Sequence, residues 1–266
     1  TNAIIHVLRC FDDDNITHVD SVVNPVRDRE IVEMELQLKD LDTIDKKKDS
    51  IKRLAASGDK TAMLKLDILN KYYAHLESGQ SARNLQLNHD DFISELQLLT
   101  DKPVLYVCNV DENSIKGNHY TDAVKKIVEK EKAQVLIISA AIEADINELD
   151  NKSDKQDFLN EIGLEEPGVN KVIRFAYNLL GLQTFFTAGE KEVRAWTIAK
   201  GALAPQAAGV IHSDFEKGFI RAEVISFENR IKFKNEHACR EAGKISIEGK
   251  NYQVRDGDIM HFRFNV

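Results

Sequence analysis

Three stretches of the chain are almost wholly apolar: AIIHVL at residues 3–8, KPVLYVCNV at 102–110 and AQVLIISAA at 133–141. Short runs without alternation predict strands covered on both faces, as in a parallel sheet. Between the last two lies NHYTDAVKKIVEKEK, where Tyr120, Ala123, Val124, Ile127 and Val128 share one helical face. Strand, helix and strand at that spacing predict a compact crossover, and so a parallel sheet with helices on it.

The connection from the first run to the second, about residues 12–102, is far longer than a crossover needs. Inside it Ile31, Met34, Leu38, Leu41 and Ile44 recur at steps of three and four. ASGD at 56–59 supplies a Gly stop and an Asp cap, after which Leu66, Leu69, Tyr73 and Leu76 form a second stripe. The pattern predicts two long antiparallel helices, an αα-hairpin inserted into the α/β unit, with its Lys, Asp and Glu on a solvated face.

EEPGVNKVIRFAYNLLGL predicts a further helix, with Pro167 near its start and Val169, Val172, Ile173, Ala176 and Leu180 facing inward. After Gly181 the texture changes. TFFTAG, VRAWTIA, FIRAEVISF and IMHFRFN are β-type runs, and PQAAGVIHSDFEKG among them reads as a helix and turn. They predict a compact α+β domain of about 85 residues, one sheet curled around one helix.

Composition narrows the class. Hydrophobic residues make up 42% and charged residues 30% of 266, with no run as long as a membrane span and no signal-peptide pattern. A net charge of −8 argues against a uniformly basic nucleic-acid binder, although residues 183–266 carry +2 and the first 182 carry −10. Cys10, Cys108 and Cys239 show no metal-ligand spacing, and Cys10 and Cys108, after apolar runs, read as buried, reduced thiols.

The candidate chemistry sits after the second and third strands. Asn109-Val110-Asp111-Glu112 is a worn form of the Asn-Lys-x-Asp turn that reads guanine in P-loop proteins. With Val110 in place of the Lys and Glu112 in place of the Asp, guanine should be held poorly. Adenine can be met instead by Asn109 and the backbone around Val110. Ser139-Ala140-Ala141 matches the small-residue loop that packs beneath the base. Both loops leave strand carboxyl ends, where ligands bind in open α/β sheets.

The phosphate half is absent from these residues. No G-x-x-x-x-G-K-[ST] and no Asp-x-x-Gly motif occurs. His212-Ser213-Asp214 holds triad residue types, but neighbours in sequence cannot aim at one another as a triad does. Asp12-Asp13-Asp14 reads as a solvated loop. Trp196, Phe185, Phe186, Phe215 and Phe219 read as core rather than as an RNA-stacking surface.

Residues 184–228 (TFFTAGEKEVRAWTIAKGALAPQAAGVIHSDFEKGFIRAEVISFE) and YQVRDGDIMHFRFNV at the end closely resemble the C-terminal TGS domain of the YchF family of Obg-like ATPases. IIHVLRCFDDDNITHV, NPVRDREIVEMELQLKDLDT and GLEEPGVNKVIR resemble the family's earlier segments. The resemblance implies an α/β chain: part of a P-loop parallel-sheet nucleotide domain (1–26 and 101–182), an inserted helical hairpin or short coiled coil (27–100), and a β-grasp TGS domain (183–266). It implies a cytoplasmic, ribosome-associated protein, with RNA met through the TGS domain and no membrane. It also implies slow hydrolysis of ATP, preferred over GTP, with Mg²⁺. Asn109, Val110, Glu112, Ser139 and Ala140 match the family's base loops, and Phe11 falls where a pocket-edge aromatic is expected.

Compared with that family, the chain begins after the P-loop and both switch regions, which carry the phosphate and Mg²⁺ ligands. An opening Thr leading at once into a strand fits a fragment. Two expectations stand. Either these residues belong to an ATPase whose chemistry lies elsewhere and are inactive alone, or the chain is a non-catalytic adaptor acting through its hairpin and TGS domain. AIIHVL should present an apolar sheet edge.

Overall fold

A computed structural model describes residues 1–16, 22–85, 87, 91–131, 133–189 and 192–265. The chain forms two compact units, Thr1–Ala176 and Tyr177–Val266.

In the first unit β1 (Ile4–Arg9), β2 (Val104–Asn109) and β3 (Gln134–Ile138) form a parallel sheet in the order β1-β2-β3. The pairing keeps Arg9 level with Asn109 and Asn109 level with Ile138, so all three strands end at one edge. β2 is central, and five of its six residues are buried, as its unbroken apolar run requires. β1 differs from expectation. Ile5 and Val7 are 48% and 60% exposed, because only the Leu8 side of the strand is covered by the core. Among the described residues β1 pairs with β2 alone, so it does present an apolar edge.

The crossover helix follows later, after the hairpin that fills the β1–β2 connection. α1 (Pro25–Ala56) begins with Pro at its first position and Asn24 as its cap, and α2 (Lys60–Glu77) is capped by Asp59. The turn between them uses Gly58 at φ +90°, a conformation that an L side chain resists. On α2 the stripe falls where expected, with Leu69 and Leu76 buried beside Tyr72.

On α1 the expectation holds at Leu41 and Ile44, which join the hairpin core, and fails before them. Ile31, Met34 and Leu38 are 43%, 58% and 59% exposed. From Arg29 to Asp40 the buried positions are Arg29, Glu33, Gln37 and Asp40, a polar stripe at the same helical spacing. Its partners explain the inversion. Arg29 donates to the Tyr106 hydroxyl at 3.2 Å and pairs with Glu131, while Glu33 receives Arg83 at 2.6 Å and the Ser81 hydroxyl. Buried charge is tolerable where every group is paired in this way.

A short helix α3 (Asp91–Ser94) packs Phe92 and Ile93 against the hairpin core of Ile44, Leu69, Tyr72 and Leu76. α4 (His119–Val128) then crosses from β2 to β3, opened by a reciprocal capping box between Asn118 and Thr121. It buries Val124 and Val128, while Ala123 of the expected face is exposed. α5 (Ala140–Glu148), α6 (Lys152–Glu161) and α7 (Gly168–Leu179) complete the order. Val169 and Ile173 of α7, expected inward, are 50% and 52% exposed.

The second unit is a five-stranded mixed sheet, ordered β5-β4-β8-β6-β7, made of β4 (Leu182–Ala188), β5 (Val193–Ala199), β6 (Phe219–Ile225), β7 (Ser246–Glu248) and β8 (Ile259–Phe264). α8 (Ala204–Ile211) buries Ala204, Ala207 and Ala208 against Phe185, Ile198, Val224, Met260 and Phe262 on one sheet face. α9 (Ser213–Lys217), α10 (Phe227–Phe233) and α11 (Glu236–Glu241) are short. The aromatic residues behave as core. Phe185 and Phe219 are buried, Phe215 stacks on Phe264 at 3.8 Å, and the Trp196 indole donates to Thr187 Oγ1 at 2.9 Å.

Candidate functional site

Because the three parallel strands end level, the segments after β1, β2 and β3 leave the same edge of the sheet. The loop after β2 is tied down at both ends. Val110 donates its N–H to the Ile138 carbonyl at 2.9 Å and buries its side chain, 2% exposed. What Val110 leaves for a ligand is therefore its carbonyl, not its N–H. Asp111 caps the following turn by accepting from Asn113 N at 2.9 Å. Glu112 is exposed, and among the described residues its carboxylate has no hydrogen bond or ion pair.

Asn109 closes β2, and its Oδ1 accepts the Ala140 N–H at 2.9 Å. A backbone N–H can only donate, so this bond fixes the orientation of the amide and leaves both Nδ2 protons free to donate. Ser139 is 4% exposed and serves as the N-cap of α5, accepting from Ile142 N at 3.5 Å. Ala140 stands exposed beside Asn109, with no side chain beyond Cβ to obstruct a flat ligand.

Phe11 is half-buried on the neighbouring loop. The loop's place is set by Cys10, whose N–H donates to the Asn109 carbonyl at 2.8 Å and extends the β1–β2 ladder by one residue. Arg9 then organises the loop from below: its guanidinium lies 5.0 Å from the Phe11 ring centroid and donates to the carbonyls of Phe11, Asp13 and Ile16. Asn118 Nδ2 holds the Cys10 carbonyl at 2.7 Å. The structure thus joins Asn109 directly to Ala140 and sets Phe11 on the same edge.

Three supporting residues escaped the sequence reading. Arg9 follows the apolar run directly, and Asn118 precedes the crossover helix with an Asn-x-x-Thr spacing. Glu143 on α5 accepts from Gly168 N at 2.6 Å and Val169 N at 3.1 Å, fastening the start of α7 to the helix that Ser139 opens. No local pattern marks that bond.

The other candidates resolve as structure. His212 Nδ1 accepts from Asp214 N at 3.2 Å and caps α9, so His-Ser-Asp is a helix start. Asp12 accepts from the Tyr120 hydroxyl at 2.8 Å, and Asp13 turns the chain back onto Asn15. Among the described residues no group of three His, Cys, Asp or Glu side chains could hold a metal ion, and no helix is long and apolar enough to cross a membrane. The three cysteines are free and buried, and a hydrogen bond to Cys108, reinforced by burial, pushes the Cys10 thiol far up.

Residues 182–265 match the family model YchF-GTPase_C, described as a protein of unknown function (DUF933). The "Ribosome-binding ATPase YchF" of Escherichia coli O157:H7 is 52% identical over 268 residues, covering all of this chain and 74% of that protein. The protein of the same name from Bacillus subtilis is 45% identical over 270 residues, again covering all of this chain and 74% of the relative. The solved "Structure of the Schizosaccharomyces pombe YchF GTPase" superposes with a TM-score of 0.85 at 34% identity, covering 98% of this chain and 72% of that one.

Proposed function

The chain belongs to the YchF family, and from that premise we propose that it is the base-recognition part of a cytoplasmic, ribosome-associated ATPase that prefers ATP to GTP. The observation that carries the reading is the Asn109–Ala140 bond, which presents a polar amide and an open small-residue loop side by side at the strand ends. Adenine offers a ring acceptor and an exocyclic amine. Asn109 Nδ2 can donate to the first, and the Val110 carbonyl can accept from the second. Guanine needs a carboxylate that meets its ring N–H and amine together. Glu112 lacks the Lys companion of the guanine-reading turn, and the Val110 side chain that replaces it is packed into the core. Phe11 and Ala140 supply flat apolar surface at the pocket edge, and Ser139 caps the helix that Ala140 begins.

Slow hydrolysis with Mg²⁺ belongs to the same proposal, although the motifs that usually cradle phosphate and hold Mg²⁺, G-x-x-x-x-G-K-[ST] and Asp-x-x-Gly, do not occur in this sequence. Residues 183–266 are proposed as a TGS domain of β-grasp type, a contact for the ribosome or its RNA.

The test is titration of the 266-residue chain with ATP and GTP, alongside a turnover assay in Mg-ATP. Weak binding of ATP over GTP and no turnover above blank are expected. In Glu112→Ala, stability should hold within about 0.5 kcal/mol because the side chain is exposed, while the ATP-to-GTP ratio shifts. Measurable turnover, or equal affinity for both nucleotides, sinks the proposal. Ribosome binding with no response to any nucleotide would favour the adaptor.

A further inference from the structure

The distal end of the hairpin, where α1 turns into α2, concentrates positive charge in an acidic chain. Residues 46–66 hold seven Lys or Arg against two Asp, a local net of +5, which leaves −13 on the other 245 residues. Part of this charge is spent locally: Lys46 pairs with Asp42 at 2.7 Å and Lys48 with Asp45 at 3.6 Å. Lys47 and Lys65 lie over the Phe92 ring, at 5.3 and 4.6 Å from its centroid. Lys52, Arg53 and Lys60 are different. All three are exposed at the turn, and among the described residues none of their side chains has an ion pair or hydrogen bond. Two acids lie beside them: Asp59 is committed to capping α2 through Ala62 N at 2.8 Å, and Asp49, one turn before Lys52 and Arg53, pairs with neither among the described residues. Leu54, Met63 and Leu64 at the same end are 57%, 54% and 59% exposed, so apolar side chains accompany the cations there.

We propose that this tip docks on double-helical RNA, with Lys52, Arg53 and Lys60 on the phosphates. The proposal rests on the ribosome reading above and deepens it by naming the element that makes contact. Charge complementarity selects the partner: unpaired cations on a net-acidic chain favour a polyanion, and releasing its counterions drives binding. The wide, shallow minor groove of A-form RNA exposes ribose faces that suit Met63 and Leu64, a surface recognised by shape rather than by sequence.

The test compares the chain with its Lys52→Glu/Arg53→Glu/Lys60→Glu variant, on purified ribosomes and on a naked RNA duplex, across a salt series. A thermal melt run in parallel should show an unchanged fold, because the three side chains are exposed and unbonded. The expected result is a loss of tenfold or more on both targets, with the slope of log affinity against log salt shallower by about 2 to 3, one for each lost phosphate contact. Equal ribosome binding by both proteins overturns the inference and leaves the ribosome reading standing. Loss on ribosomes without duplex binding by either protein also overturns it, because the partner is then a ribosomal protein. Failure of the unsubstituted chain to bind ribosomes at all overturns the underlying reading instead.

Discussion

Asn109 Oδ1 accepts the backbone N–H of Ala140 across 2.9 Å, joining the end of β2 to the start of α5. One side chain thereby fixes the spacing of the two loops proposed to face a base. Its two atoms have separable duties, since Oδ1 holds the loop and Nδ2 faces the ligand. Asn109→Asp keeps the acceptor and loses the donor, so stability should hold while ATP affinity falls. Asn109→Ala loses both and should cost about 1 kcal/mol of stability as well. Chemical denaturation and nucleotide titration of the two variants check the separation.

Asp40 is the anchor of the hairpin's base. It is 1% exposed and accepts from Leu99 N, Thr100 N and Thr100 Oγ1, each at 2.7 Å. Asp40→Ala strands two backbone donors around a charge-assisted site and should cost about 3 kcal/mol. Asp40→Asn retains one acceptor and should cost less. The midpoint of urea unfolding is the readout, and an Ala variant as stable as the parent would refute this role.

At Gly168 a Cβ would lie 2.7 Å from Ile138 Cγ2 and 2.8 Å from Glu143 Oε1. The carboxylate can swing away, but only by releasing the start of α7, and the Ile138 methyl is held in the sheet. Gly168→Ala should therefore destabilise by about 1–3 kcal/mol, the usual scale for overpacking. Glu143→Gln in the same background keeps one acceptor for α7 and should not rescue it, because the Ile138 contact remains.

His6 projects from β1 toward the buried ion cluster. Burial lowers its pKa; Arg29 and Arg83 add to the lowering, while Glu33 opposes it. With the folded value below the ordinary 6.5, the unfolded chain binds the proton first as pH falls. The His6 contribution is thus complete above about pH 6.5 and is lost on acidification from there toward the folded value. Unfolding measured between pH 7.5 and 5.5 should show a steeper loss for the parent than for His6→Gln. Equal slopes would show that His6 does not titrate differently on folding.

Much of the architecture is legible in the amino-acid pattern. VLYVCN is apolar at consecutive positions and becomes the covered central strand, because only a strand flanked on both sides and both faces can bury such a run. Gly58 and Asp59 mark the hairpin turn by local backbone and capping physics, which act within four residues. The strand, helix and strand order of the second unit followed from the same short-range signals, although β7, α10 and α11 were too short or too polar to register.

The tertiary structure alone decided which face of α1 is buried. Periodicity favoured Ile31, Met34 and Leu38, yet the sheltered stripe is Arg29, Glu33, Gln37 and Asp40. Their partners, Tyr106, Glu131, Arg83, Ser81, the Gly79 carbonyl and the Leu99 and Thr100 amides, lie 42 to 102 residues away along the chain. A polar side chain is stable in a core only when its partners arrive there too, and the sequence cannot show which distant groups the fold will bring. The Asn109–Ala140 bond is of the same kind. Its two residues announced themselves separately as loop ends, and the parallel register of β2 on β3 placed them within hydrogen-bond reach.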